Sequence, residues 1–220
     1  IVTELDGYQK IIDGAKQVVE NYKPAIKIDP DWPMMELKSI CDVRDGTHDS
    51  PKYQQKGFPL VTSKNVREGK IDFSTANLIS KEDLDKINKR SIVDNGDIIM
   101  PMIGTIGNPI LVKKDREFAI KNVALIKFYE DSKINRLYLK LTLESDVLAN
   151  HYLNMSKGSS QKFISLGFIR NLQIPLPPIK TQQKIVAEIE TERELVDANK
   201  KLIEIFDKKI KDKIGEVWGK

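Results

Sequence analysis

The first 24 residues of this 220-residue chain recur near its end. Residues 1–24 align without a gap on residues 185–208, at a constant offset of 184. Ile1/Ile185, Val2/Val186, Glu4/Glu188, Asp13/Asp197, Lys16/Lys200 and Glu20/Glu204 are identical, and Leu5/Ile189, Ile12/Val196, Val19/Ile203 and Tyr22/Phe206 are like for like. Shared heptad spacing would match the apolar positions, but it gives no reason for the polar matches Asp13/Asp197 and Glu20/Glu204. A self-match so far apart points to a unit of about 180 residues, ending in a helix, that occurs more than once in a parent sequence. On this reading the opening residues are the tail of a preceding unit and the chain begins mid-helix.

Both copies have helical periodicity. Leu5, Tyr8, Ile12, Ala15, Val19 and Tyr22 step by three and four residues, which is an a/d seam. Lys23-Pro24 ends it, because proline disfavours helical geometry in the residue before it. At the other end Ile189, Val196, Ile203, Ile210 and Val217 recur every seven residues, with Ile185 and Phe206 on the adjoining row. Asn199 interrupts that row, either as a buried register device or as an exposed residue. A single helix over 181–217 spans roughly 55 Å, the length of a strut. Ten basic and nine acidic side chains between Lys180 and Lys220 nearly cancel, as on a solvated face. The two seams bury each other if the helices pair, most simply antiparallel within the chain. The first helix is too short to cover the second, so much of the second seam is expected to stay open.

Composition narrows what lies between. Apolar residues make up 40% of the chain, enough for one good core plus appendages. No run reaches the eighteen or so apolar residues of a membrane span and no signal peptide precedes Ile1, so the reading is a cytoplasmic protein with no membrane partner. One cysteine, Cys41, excludes an internal disulfide and a cysteine-rich zinc site, and two histidines, His48 and His151, argue against a histidine-built metal centre. A net charge of +4 permits nucleic-acid binding without demanding it.

Proline-rich borders at 24–33 and 175–178 frame the middle. Val43, Leu60-Val61, Ile98-Ile99-Met100, Ile110-Leu111-Val112 and Val123-Ala124-Leu125-Ile126 read as short strands separated by glycines, and 81–88 and 136–155 read as helical. The pattern is α+β. The expected organisation is a helix at 1–24, one globular domain at 25–178 and a long helix at 179–220.

The loops of that domain carry the polar chemistry. Residues 45–53 gather His48, Asp49, Ser50, Lys52 and Tyr53 in one turn cluster; Ser63, Lys64 and Asn65 follow a strand; Thr105 sits between two apolar runs; Lys157, Ser159, Ser160, Gln161 and Lys162 precede another. Ser159 or Ser160 is a candidate helix cap whose neighbouring amides would take a phosphate. Each loop alone is also ordinary turn chemistry. Together they form the palette that reads base edges and grips phosphates. Catalytic patterns are weak by comparison. Asp31 and Glu36-Leu37-Lys38 are too close for the separate strands of a metal-dependent nuclease. Asn108-Pro109-Ile110 lacks the second proline and aromatic of an adenine methyltransferase, and Thr47-His48-Asp49 has no serine elbow beside it.

Several stretches are familiar as a set. GTHDSPKY (46–53), GFPLVTSKN (57–65), NGDIIMPMIGTIGNPILV (95–112) and above all GSSQKFISLGFIRNLQIPLPPIKTQQKIVAEI (158–189) resemble the target recognition domain and following spacer helix of type I restriction-modification specificity subunits. LDGYQKIIDGAKQVVENYKP (5–24) with DPDWPMMEL (29–37) is similar to the junction between a spacer helix and the next such domain. The resemblance implies a non-catalytic module in which a globular target recognition domain is flanked by long helices forming an antiparallel coiled coil. It would read one half of a split double-stranded DNA target. It implies DNA methyltransferase subunits as partners, with S-adenosylmethionine bound on them and no cofactor here, together with a restriction/translocase subunit. One recognition domain where the family has two leaves three origins open: half of a two-domain subunit, the end of a fused methyltransferase-specificity polypeptide, or a half-subunit that forms a homodimer through its helices. The family does not fix the contacting residues one by one; loop position and chemistry give as candidate DNA-binding residues His48, Asp49, Ser50, Tyr53, Ser63, Asn65, Thr105, Ser159, Ser160 and Gln161, with Lys52, Lys64, Lys157 and Lys162 on phosphates.

Overall fold

The computed structural model describes residues 1–67, 69–104, 106–155 and 163–219. The chain divides into two compact units, residues 1–25 with 185–220, and residues 26–184.

The first unit is a helix pair. Helix α1 spans Val2–Asn21, and the long C-terminal helix, α7, spans Ile179–Trp218 and enters this unit at residue 185. Contacts run in opposite directions along the two. Lys213 Nζ lies 3.9 Å from Glu4, the Tyr8 and Phe206 rings are 5.2 Å apart, and Tyr22 donates to Glu192 at 3.2 Å. The pair is therefore antiparallel. Lys209 Nζ sits over both rings, 5.7 Å from Tyr8 and 4.7 Å from Phe206, a cation–π staple. Under the offset of 184, Phe206 is the counterpart of Tyr22 and Glu192 that of Tyr8. The contacts Tyr8–Phe206 and Tyr22–Glu192 thus join the same two repeat positions in reciprocal order, as in a self-complementary two-fold contact.

The expectation of a largely open seam needs correction. These contacts cover residues 192–213 of α7, a stretch as long as α1 itself. Ile189 and Val196 are buried, Ile203 and Ile210 are half-buried, and only Val217, at 49% exposure, lies open. Asn199 is no cross-helix register device, since its Nδ2 donates back to Leu195 of its own helix at 2.8 Å.

The second unit is α+β. In chain order it contains β1 (Met34–Glu36), α2 (Leu37–Ile40), β2 (Cys41–Asp45), β3 (Phe58–Val61), β4 (Val66–Arg67), β5 (Lys70–Ile71), β6 (Asn77–Ile79), α3 (Lys81–Ser91), β7 (Ile98–Pro101), β8 (Ile110–Leu111), β9 (Ala119–Ile120), β10 (Val123–Phe128), α4 (Arg136–Glu144), α5 (Asp146–Met155), α6 (Leu166–Arg170) and β11 (Gln173–Pro175), with 3-10 turns at Ser63–Asn65 and Phe73–Thr75. An antiparallel sheet of order β2-β10-β7-β8 packs beside a sheet of order β6-β3-β9, whose β3–β9 pair is parallel. β1 and β11 close the two ends of the domain against each other as a ribbon.

The apolar pattern explains this layering. Val123 to Ile126 on β10 are all buried, as a strand flanked on both edges and covered on both faces requires. On β3, Val61 joins the main core of Val93, Ile99, Phe118, Ile120 and Leu125, while its neighbour Leu60 turns to a second cluster with Ile79, Leu84 and Ala119. The alternation of a strand thereby feeds two layers at once.

The helix expected at 136–155 is two helices. Ser145 is extended, and its hydroxyl donates to Thr142 O at 2.7 Å, ending α4 before α5 begins. Asn135 starts α4 by accepting from the backbone N–H of Leu137 and Tyr138. The start of α7, from Ile179 to Lys184, packs as part of this unit. Gln182 there is fully buried. Its Oε1 accepts from Asn135 N at 2.7 Å, and its Nε2 donates to Lys133 O at 3.0 Å and Pro177 O at 2.8 Å. Cys41 is buried, and burial pushes its thiol up to about 12, where it stays protonated. No helix among the described residues is long and apolar enough to cross a membrane.

Candidate nucleic-acid interface

The loop after β2 is strapped to the turn between β9 and β10. Gly46 N–H donates to Val123 O and Thr47 N–H to Ile120 O, each at 3.0 Å, and Lys121 N–H donates to Val61 O at 2.9 Å. Gly46 approaches so closely that a Cβ there would lie 2.4 Å from Ile120 O, so no other residue fits. The segments after β2 and β3 and the turn after β9 therefore meet at one place, where the two sheets are joined by Lys121-Asn122.

Polar side chains tie that junction together. Asp45 accepts from Arg90 Nη2 at 2.6 Å and lies 2.7 Å from His48 Nε2, while His48 Nδ1 lies 2.9 Å from Asn122 Oδ1. Arg90 also donates to Gly46 O, and Lys121 Nζ donates to Ser50 Oγ at 2.6 Å. Ser63 Oγ donates to Asn122 O at 3.3 Å. On either side of loop 46–53 the surface opens into a cleft. One, of about 470 Å³, lies between that loop and α3, with Asp49, Lys86 and Arg90 on its walls. The other, of about 420 Å³, lies among Tyr53, Ser63, Lys64, Asn77, Gly104 and Asn122. Amides, hydroxyls, an aromatic ring and a cation around an open cleft suit base edges and phosphate oxygens. Among the described residues no group of His, Cys, Asp and Glu is arranged to hold a metal ion.

The residues picked from the sequence fall into four groups. Ser50, Tyr53, Ser63 and Lys64 are brought to these clefts together with Asp49, whose carboxylate is exposed and lies 3.9 Å from Lys86; Lys52 is exposed on the same loop. His48 has a 65% exposed side chain, but both ring nitrogens are already engaged, so what it offers outward is its carbon edge. Asn65 is not a reader. It is 3% exposed, its Oδ1 accepts from Thr62 N and Oγ1 at 2.9 Å, and its Nδ2 donates to Thr75 Oγ1 at 3.2 Å and more weakly to Asp72 O. A buried amide with all its groups paired closes a loop and has nothing left for a partner. Thr105, Lys157, Ser159, Ser160, Gln161 and Lys162 lie outside the described residues.

Asn122, Lys121, Arg90 and Asn77 escaped the sequence reading. The available signal for the first two was the polar pair Lys121-Asn122 interrupting the apolar run from Phe118 to Ile126, which marks a turn between two strands. Arg90 lay just beyond the helix expected at 81–88, in the last turn of α3.

Fold and site together define a domain that presents polar loops at the junction of two sheets and is joined to an antiparallel helix pair. Residues 30–205 match the family model described as type I restriction modification DNA specificity domain, and the chain belongs to that family. It is 28% identical over 179 residues to the specificity subunit of the type I restriction enzyme EcoBI of Escherichia coli, covering 80% of this chain and 37% of that protein. It is 24% identical over 188 residues to the MjaVIII specificity subunit of Methanocaldococcus jannaschii, covering 83% and 44%. The chain thus spans less than half the length of these relatives. In fold it is similar to the HsdS subunit from Thermoanaerobacter tengcongensis (TM-score 0.60, 18% identity, 96% of this chain and 51% of that one) and to the S subunit of a type I system from M. genitalium (TM-score 0.56, 13% identity, 94% and 55%).

Proposed function

We propose that the chain is a non-catalytic DNA-reading module of a type I restriction-modification specificity subunit, acting in the cytoplasm on one half of a bipartite duplex target. Phosphate contacts from Lys52 and Lys64, with Lys157 and Lys162, set the register; Asp49, Ser50, Tyr53 and Ser63, with Thr105 and the 159–161 stretch, reach base edges. The helix pair holds this domain at a fixed distance from a second one and docks methyltransferase subunits, which carry the S-adenosylmethionine. The observation that carries the reading is the convergence of three loop segments from two sheets on the Lys121-Asn122 turn, with two polar clefts opening beside it. Family membership over most of the chain supports it.

Fluorescence anisotropy of labelled duplex DNA at several salt concentrations is the test. The expected result is weak binding whose logarithm falls linearly with log salt, since each neutralised phosphate releases counterions. Binding that is absent at low salt, or that ignores salt, refutes the reading.

A further inference from the structure

The turn from β9 to β10 is two residues long and carries the chain from one sheet into the other. Its second residue, Asn122, has φ 54°, and among the described residues no other non-glycine has a left-handed backbone. Glycine takes this conformation at no steric cost, whereas any side chain adds one. The turn alone gives no reason for a side chain, but the contacts do. Oδ1 and the Asp45 carboxylate can only accept, so His48 holds both with a proton on each ring nitrogen, donating Nδ1–H to Asn122 Oδ1 at 2.9 Å and Nε2–H to Asp45 at 2.7 Å, and Arg90 grips Asp45 in turn. The backbone is committed as well, with its N–H donating to Thr47 O and its carbonyl accepting from Ser63, each at 3.3 Å. What remains is Nδ2, a two-proton donor that has no acceptor among the described residues, on a residue lining the cleft beside Tyr53, Ser63 and Lys64.

We propose that Asn122 is a specificity-determining residue whose Nδ2 donates to an acceptor on a base edge, with His48 and Asp45 holding the amide oxygen turned away. The inference rests on the DNA-reading proposal above and deepens it. A free asparagine satisfies adenine through both ends of its amide, but an amide pinned at its oxygen offers donors only. The matching groove atoms are purine N7, guanine O6 and thymine O4. Cytosine presents only its N4 donor there and is rejected at that position.

The experiment selects from a randomised duplex pool with the 220-residue chain, Asn122→Gly and Asn122→Asp, and records the melting temperature of each. Glycine suits the left-handed turn, so Asn122→Gly is expected to melt close to the parent while losing the preference at one position. Its affinity for the duplex the parent enriches should fall about tenfold, the discrimination of one groove hydrogen bond. Asn122→Asp keeps an oxygen towards His48 and turns an acceptor outward, so the preference at that position should move to a base with a donor, cytosine or adenine. If both variants enrich the parent's motif at every position with the parent's affinity, the assignment is overturned. Simultaneous loss of preference at all positions also overturns it, because Asn122 would then be scaffolding alone. A parent chain that enriches no motif brings down the DNA-reading proposal, and this inference with it.

Discussion

Replacing Gln182 by methionine tests how the recognition unit is closed. Methionine keeps the length and nearly the volume of glutamine, so the change leaves no large cavity. It removes three hydrogen bonds made by a fully buried side chain and leaves Asn135 N–H, Lys133 O and Pro177 O without that partner. At about 1 kcal/mol for each ordinary bond, and more where a buried group is orphaned, the cost is about 3 kcal/mol. For a unit of this size that lowers the melting temperature by roughly 6–12 °C. Differential scanning calorimetry of Gln182→Met beside Gln183→Met separates burial from composition, because Gln183 is exposed on the same turn and its replacement should shift the midpoint by less than about 1 °C. A Gln182→Met protein that melts with the parent would show that the three bonds do not anchor the start of α7 to the α4 cap.

Three further outcomes follow from particular contacts. Lys64→Ala should weaken binding to all duplexes about equally and flatten the salt slope by about one unit, checked by the same anisotropy titration; an unchanged slope removes Lys64 from the phosphate set. Val196→Asp buries a charge in the helix seam and should open α1 while residues 26–184 stay folded, seen as faster amide exchange confined to 2–21 and 190–213; parent-like protection of α1 contradicts the pairing. The Lys127 ammonium, hydrogen-bonded to Asp94 at 2.8 Å, holds that carboxyl below its ordinary value. Its stabilisation is therefore complete above about pH 4 and is lost as pH falls through the depressed value, and Asp94→Asn should lower the urea midpoint at pH 7 by an amount that shrinks as the pH is taken progressively below about 4.

The helix pair was the most legible part of the molecule. Six apolar positions at helical spacing identify the buried face of α1, and an antiparallel pair is the simplest way for the two seams to bury each other; which residues meet in reciprocal pairs is seen only in the structure. Strands with four or more consecutive apolar residues, such as β10, were equally plain. The two- and three-residue strands β4, β5, β6 and β9 were not, because segments so short have no period to read, and pairing with distant partners creates them. The candidate site was half legible. Loop composition picked out 45–53 and 62–65, but composition does not say which polar groups the fold consumes. Asn65 and His48 look as available in sequence as Tyr53 does; Asn65 is spent inside its own turn and both His48 ring nitrogens are engaged at the junction, while Tyr53 stands 55% exposed. Asn122 was hidden for the opposite reason. Its role depends on a backbone angle and on two loops brought together from more than fifty residues away.

The most direct measurement is hydrogen–deuterium exchange of the whole chain with and without duplex DNA bearing the motif it enriches. Slowed exchange in 46–53, 62–65 and 121–122, with 2–21 and 190–213 unchanged, is the expected result. Protection that falls on the helix pair and spares those three segments would contradict the assignment of the loop junction as the DNA-reading face.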